Sequence, residues 1–251
     1  MTKPQSHHEK WVCKPGSYDA LNTSRLFAAD NRYNLPCLKR ESFTRIPRWL
    51  VPYRTRVSSV EDLDDGAVHF FLEDYRFESV WNRPTRALNV FVPYQAILTP
   101  DFSLYRDWPL AIQLWNTYRS RWCGTYWQSE GFRVIPTIAW GSADSYDFCF
   151  LGVPPGSFVA ISTVGVQLEN PLEYHLFLEG FTEMVCRIDP AIVLCYGPAP
   201  SACSQLAEVV CYETRWRGIR QARKNGRQRR QNQPQLPPPV NFQFQERNNG
   251  R

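Results

Sequence analysis

The chain lacks any run of about 18 apolar residues, so its sequence contains no membrane-spanning helix of ordinary length. The stretch Met1 to Lys10 lacks the apolar centre of a signal peptide, and the expectation is a cytoplasmic protein. No two cysteines are spaced C-x-x-C. Cys13, Cys37, Cys123, Cys149, Cys186, Cys195, Cys203 and Cys211 are scattered, most of them within apolar runs, and His7, His8, His69 and His175 are equally dispersed. Zinc needs ligands clustered at short spacing, so the expectation is buried reduced thiols and no metal site. The patterns G-x-x-x-x-G-K-[ST], G-x-G-x-x-G, H-E-x-x-H and G-x-S-x-G are all missing. That argues against P-loop nucleotide hydrolysis and serine-hydrolase chemistry. Methionine is scarce, with two residues against nine Trp, so flat and rigid side chains have to fill the core. No solenoid-type internal repeat is present.

What remains is 251 residues, 43% hydrophobic and 21% charged, enough to bury a core in one large domain or a domain plus a tail. The charge is unevenly placed. Residues 213–251 hold ten Arg and Lys against Glu213 and Glu246, a net +8; the whole chain is +5, so residues 1–212 carry −3. The basic character therefore belongs to the tail, and the body has no reason to attract nucleic acid over its whole surface.

Residues 1–30 are polar and read as a flexible N-terminal arm, residues 31–212 as the folded domain, and residues 213–251 as a basic, Gln- and Pro-rich tail too poor in apolar residues to order itself. Between residues 31 and 56, Pro36, Pro47 and Pro52 suggest an extended segment lying over the domain. Short apolar runs bounded by turn residues predict strands near 67–72, 95–99, 132–139, 157–162 and 191–195, although Pro136 cannot donate to a ladder. Trp108, Ala111, Ile112, Trp115, Tyr118, Trp122 and Tyr126 recur at helical spacing, with Asp107 as cap and Pro109 in the first turn. Asn116, Arg119 and Ser120 fall elsewhere on that wheel. The ring stripe is expected to be core rather than a base-stacking platform, and His69 a satisfied core histidine. Asn170-Pro171-Leu172-Glu173 is a strong helix start, ended by Asp189-Pro190. A last helix is expected from about Ser201 through Leu206, Val209 and Val210. Strands alternating with helices, each strand a continuous apolar run, give an α/β fold: a single domain with a largely parallel sheet, either open and doubly wound or an incomplete barrel.

In parallel α/β folds, functional residues collect beyond the carboxyl ends of the strands. Those ends supply Glu73, Asp74, Arg76 and Glu78, then Asp101 and Ser103, then Trp140, then Thr163, then Tyr196. Asp74, Arg76 and Asp101 are the candidate catalytic residues: paired carboxylates divide acid and base roles or hold Mg2+, and an Arg beside them holds a phosphate or carboxylate. Glu73, Glu78, Ser103, Trp140, Thr163 and Tyr196 are candidate ligand contacts. The competing reading is that these are helix caps and turn residues, Asp101 closing an Asx-turn and Asp74 pairing with Arg76 or loop backbone. In the tail, Arg215, Arg217, Arg220, Arg223, Lys224, Arg227, Arg229 and Arg230 are candidate nucleic-acid contacts, dense enough for phosphate binding without base reading. A merely solubilising tail is the alternative there.

Several ordered stretches also carry a resemblance: Phe70-Phe71-Leu72-Glu73-Asp74-Tyr75-Arg76-Phe77-Glu78, Leu98-Thr99-Pro100-Asp101-Phe102-Ser103, Val134-Ile135-Pro136-Thr137-Ile138-Ala139-Trp140, and Ser162-Thr163-Val164-Gly165. Over about residues 31–212 this series resembles the DUF4417 family of bacteria, phages and other mobile elements. The resemblance implies an α/β domain and a mobile-element setting; it implies no activity and no catalytic residue. The leading expectation is a phage or plasmid accessory protein that contacts nucleic acid through its tail. The alternatives are an enzyme with a strand-end site for a phosphorylated or nucleotide substrate, and a non-catalytic protein-interaction module.

Overall fold

The computed structural model describes residues 18–55 and 63–214. Among the described residues seven short strands run parallel: β1 (Trp49–Pro52), β2 (Gly66–His69), β3 (Ala96–Leu98), β4 (Val134–Ile135), β5 (Phe158–Ser162), β6 (Ile192–Tyr196) and β7 (Val209–Tyr212). Each lies beside its predecessor, β1 to β4 in one ladder and β5 to β7 in another. A parallel bridge between Thr137 and Ala160 joins the two ladders. Pro136 lies at that junction without penalty, because only its carbonyl is used, accepting from Ala160 N–H at 2.8 Å.

This order decides between the two expected architectures. A doubly wound sheet reverses its strand order at a switch point; here nothing reverses, and the sheet curls on itself. The His69 ring of β2 lies 4.4 Å from the Tyr196 ring of β6, and the Tyr212 hydroxyl of β7 donates to the Pro47 carbonyl just ahead of β1 at 2.6 Å. Among the described residues no backbone ladder joins β7 to β1, so the fold is an incomplete seven-stranded parallel barrel. Its interior holds Ala67, Ala96, Leu98, Ile135, Ala160 and Leu194. The three alanines suit so narrow a space.

Helices cover the outside: α1 (Ser79–Asn82), α2 (Pro84–Phe91), α3 (Leu110–Ser129), α4 (Pro171–Ile188) and α5 (Cys203–Leu206). Alternate strand residues point outward, as period-2 geometry requires. Val68, Phe70, Ile97 and Val134 meet the rings of Phe91, Trp122 and Trp127, and Val159, Ile161, Val193 and Cys195 meet Phe177, Phe181 and Met184. Phe70 stacks on Trp127 at 5.6 Å. Such pairs add about 0.5–1.5 kcal/mol beyond their buried area. The ring stripe of α3 is core in its second half, where Trp122 and Tyr126 are buried and Trp115 and Tyr118 pack against them, whereas Ala111 and Ile112 of the same predicted face are exposed.

Three expectations are corrected, and the burial of one side of α3 is added to them. The segment expected to lie over the domain contains β1, which pairs with β2 alone and so tolerates Pro52 at its end. The last helix stops at Leu206, and Val209–Tyr212 is a strand paired with β6. Asp107 does not cap α3; Pro109 occupies the cap position without a side-chain bond. The polar side of α3 is not solvated either: Gln113, Asn116, Thr117, Arg119, Ser120 and Arg121 are buried. Their partners make that burial tolerable. Arg121 donates to the carbonyls of Leu151 (2.9 Å), Thr137 (3.1 Å) and Cys149 (2.7 Å), pinning the end of β4 to the following turn. Desolvation lowers this guanidinium to about 10, which leaves it charged at neutral pH.

Residues 18–30, within the expected arm, are held by Trp122, whose indole N–H donates to Arg25 O at 2.8 Å, and by Tyr18, whose hydroxyl donates to Asn82 O at 2.8 Å. Cys123, Cys149, Cys195 and Cys203 are buried free thiols, whereas Cys186 and Cys211 are exposed, contrary to expectation. Cys13 and the tail positions 215–251 lie outside the described residues. No described helix is long and apolar enough to cross a membrane.

Candidate ligand pocket at the carboxyl ends of the strands

Past the last ladder bonds of β3 and β4, two threonines clasp the strands. Thr137 N–H donates to Thr99 Oγ1 at 2.8 Å, and Thr137 Oγ1 donates to Thr99 O at 2.7 Å. Ser120 of α3 donates to Thr99 Oγ1 as well, at 3.1 Å. This fixes where the next residues of β3 emerge.

The first carboxylate there is Asp101, part-buried, with no hydrogen-bond partner among the described residues. Burial, and then the charge of nearby Asp74, push its carboxyl up from 3.8 to about 7. Asp74 does different work. Its two oxygens accept from Ser103 N–H (3.1 Å) and Ser103 Oγ (2.9 Å). Ser103 O accepts from Asn116 Nδ2 at 2.7 Å, and Asn116 Oδ1 accepts from Arg119 Nη2 at 2.7 Å. Arg119 then reaches Glu78 at 2.7 Å and lies 3.8 Å over the Phe102 ring. This relay of Glu78, Arg119, Asn116, Ser103 and Asp74 is the scaffold of the loop that presents Asp101.

Beyond the loop opens a pocket of about 440 Å³, within the roughly 300–1,000 Å³ usual for small-molecule sites. Asp101, Ser103, Arg106, Trp140, Ser162 and Glu173 supply its chemistry. Arg106 forms an ion pair with Glu173, joining the loop after β3 to the first turn of α4. That turn is fixed by Asn170, whose side chain accepts from Leu172 N–H (3.0 Å) and Glu173 N–H (3.4 Å). Trp140 forms a flat wall, 5.5 Å from the Phe177 ring. It lies so close to α4 that a Cβ on Gly180 would sit 2.1 Å from the indole nitrogen.

Of the three candidate catalytic residues, Asp74 and Asp101 come together and Arg76 does not join them. Arg76 pairs with Glu73 at 3.3 Å, both exposed. Asp101, Ser103 and Trp140 face the pocket. Glu78 belongs to the relay. Thr163 is buried and its N–H donates to Tyr196 O at 3.1 Å; Tyr196 lies inside the barrel. With both Asp74 oxygens already engaged, the pair offers one open carboxylate toward Mg2+, and no group of three His, Cys, Asp or Glu suited to a metal occurs among the described residues. Sequence reasoning missed Arg106, took Glu173 only as a helix-start acid, and missed Gly180. A glycine inside a helix was the one available signal, since it costs about 1 kcal/mol against Ala and so marks a packing need.

The profile of a family described as Domain of unknown function (DUF4417) matches residues 27–213. The chain is 42% identical over 217 residues to the Gene 1 protein of Mycobacterium phage L5, covering 86% of this chain and 92% of that one. It is 42% identical over 209 residues to the Gene 1 protein of Mycobacterium phage D29, covering 82% and 76%. No solved structure matches.

Proposed function

The chain belongs to the DUF4417 family, with phage proteins among its relatives, and we propose that its strand-end pocket binds a phosphorylated or nucleotide ligand on which Asp101 exchanges a proton. The carrying observation is Asp101 itself: a carboxyl in the pocket wall with no hydrogen-bond partner among the described residues, raised to about 7 by burial and by Asp74. A general acid or base works best with a pKa near the working pH, and such shifts concentrate at functional sites. Arg106 supplies a cation for a phosphate, released from Glu173 when the ligand enters. Trp140 supplies a face for a ring.

The test is a carboxyl-carbon NMR titration of the full chain, alone and with millimolar mononucleotide. An Asp101 midpoint near 7 that moves on ligand addition supports the reading. A midpoint at the ordinary carboxylate value, with no mononucleotide disturbing the Trp140 indole signal, overturns it.

A second reading concerns the tail, and its support is the +8 charge of residues 213–251 against −3 for the rest. Phosphate contact by this segment, with five to eight charges engaged, gives a slope of log affinity against log salt of about −4 to −7, at about −0.9 for each duplex phosphate neutralised. A slope near zero for the full chain would end this reading.

A further inference from the structure

Three thiols gather on the outer face of β6 and β7. In the parallel ladder Cys195 of β6 is the direct partner of Cys211 of β7. Period-2 geometry puts Cys211 on the same face as Val209, which packs with Cys195 and with Cys203 of α5. The Cys195 thiol is within hydrogen-bonding reach of Cys211, and the Cys203 sulfur feels Cys211 as well. Cys195 and Cys203 are buried, whereas Cys211 is exposed. All three are free thiols, and none of them lines the strand-end pocket.

The placement of Cys195 and Cys211 meets the geometric demand of a disulfide. The Cα atoms of a disulfide usually lie about 4.4–6.8 Å apart. Neighbouring strands lie about 4.7–4.9 Å apart, so a pair in direct register on one face meets that demand without separating or sliding the strands. The trio is no metal site, since no group of three His, Cys, Asp or Glu suited to a metal occurs among the described residues. Access is divided between the two sulfurs. Cys211 meets solvent, so an oxidant reaches it first. Burial, and then the nearby Cys211 and Cys203 sulfurs, push the Cys195 thiol up, so it stays protonated until an oxidised partner forms beside it.

Such a bond has a consequence for β7. Among the described residues this four-residue strand has a backbone ladder only with β6. On its other side Tyr212 reaches Pro47 by a side-chain hydrogen bond. A covalent link at Cys211 fixes the residue next to Tyr212, and with it the contact that closes the barrel. It also closes the short crossover through α5 into a loop, which removes freedom from the frayed form of the strand.

We propose that Cys211 and Cys195 form a reversible, hydroperoxide-driven disulfide that locks β7 onto β6. The site stands apart from the pocket and tail readings above. The Cys211 thiolate attacks one oxygen of hydrogen peroxide, the O–O bond breaks, and hydroxide leaves a sulfenic acid on Cys211. The Cys195 sulfur then attacks the Cys211 sulfur. The S–S bond forms, the S–O bond breaks, and the departing hydroxide takes the Cys195 proton as water. In sum two thiols lose two electrons and two protons, and the peroxide becomes two waters. A small dithiol reverses the reaction by exchange.

The test treats the reduced full chain with a slight excess of hydrogen peroxide, blocks the remaining thiols with N-ethylmaleimide and maps the peptides by mass. The expected product is a peptide pair joining Cys195 to Cys211, lighter by two hydrogens and released by dithiothreitol. In the oxidised chain the β7 amides of Val210 and Tyr212 should exchange hydrogen at least about tenfold more slowly than in the reduced chain. Cys211→Ser, a change at an exposed position, should abolish both effects. Cys203→Ser and Cys186→Ser should keep both. Oxidation of Cys211 to a sulfinic acid with no link to Cys195 overturns the proposal. So does a link from Cys211 to Cys203 or to a second chain, or loss of the link in Cys203→Ser. A link that leaves the β7 exchange rates unchanged overturns it as well, because β7 would then gain nothing from being joined.

Discussion

The rings of His69 and Tyr196 lie 4.4 Å apart, one from β2 and one from β6, and Phe71 stacks on the same tyrosine at 5.3 Å. Strands four places apart in the sheet order touch only if the sheet has curled, so this contact is the inner seal of the barrel. Tyr196→Ala removes the seal from a buried site and should cost about 3–5 kcal/mol in urea unfolding, the range for large aromatic truncations. A loss under about 1 kcal/mol would mean that the two halves of the sheet do not depend on this contact.

His69 also sets a pH dependence. Its Nδ1 accepts from Phe71 N–H at 3.1 Å, while Nε2 is buried without a partner among the described residues, and burial lowers its pKa from 6.5 to about 3. Below 6.5 the unfolded chain takes up a proton that the folded chain refuses until about 3. Stability is therefore lost as pH falls through that window. About two pH units below 6.5 the loss is on the order of 2–3 kcal/mol, at about 1.4 kcal/mol per unit. His69→Phe, compared with the parent chain by urea unfolding at neutral and acid pH, should flatten this limb. An unchanged limb would assign the acid loss to other groups.

Asp101 bends the profile the other way. Its folded pKa is raised from 3.8 to about 7, so its contribution is full below about 3.8 and is lost as pH rises through 7. Asp101→Asn should be the more stable chain at pH values above 7, by on the order of 4 kcal/mol at about 1.4 kcal/mol per unit. The advantage should vanish toward pH 4. If Asn is less stable at high pH, the carboxylate is held by a favourable contact and the proton-exchange proposal loses its basis.

The parts legible in the sequence are those with local punctuation. Pro155-Gly156 ahead of Ser157 and Asp189-Pro190 ahead of Ala191 delimit β5 and β6 to within a residue, and Asn170-Pro171 marks the start of α4. β1 was hidden because Pro47 and Pro52 bracket four residues, and Pro52 is acceptable only because β1 sits at the end of the ladder. β7 was hidden because Leu206, Val209 and Val210 match a helix period as well as a strand run. Nothing in the sequence says that the helix breaks at Ala207. The strand-end rule reaches Asp101, Ser103 and Trp140. It does not reach the meeting of Arg106 with Glu173, which depends on where α4 packs, 67 residues further along. The buried polar face of α3 was illegible for the same reason: Asn116 and Arg119 are tolerable only against Ser103 and Glu78.

Gly180 tests the wall of the pocket. Gly→Ala in a helix interior ordinarily gains about 1 kcal/mol, but here the new methyl would meet the Trp140 indole at 2.1 Å. The ring packs on Phe177 at 5.5 Å and lies 6.4 Å from Phe150, so relieving the clash means moving the indole off α4 and out of these contacts. Gly180→Ala should therefore lower stability, by about 1–3 kcal/mol as overpacking does, and shift the Trp140 indole N–H signal. A stabilised variant with an unmoved indole signal would place the ring elsewhere.

Arg121 is the sharpest test of the frame beneath the pocket. Its guanidinium, 2% exposed, satisfies three carbonyls on two segments and has no carboxylate partner among the described residues. Arg121→Met keeps most of the apolar stem and removes all three donors. Each carbonyl left buried and unpaired costs about 1–3 kcal/mol, so the loss should reach at least about 3 kcal/mol. Because these carbonyls include that of Thr137, which is clasped to Thr99, the damage should spread to the loop of Asp101. Hydrogen exchange should speed up at Thr137 N–H and Ser103 N–H in the variant, while Val193 N–H in β6 keeps its protection. A uniform rise across all strands would instead mean that Arg121 supports the whole barrel, and equal protection everywhere would mean that water had replaced it without consequence.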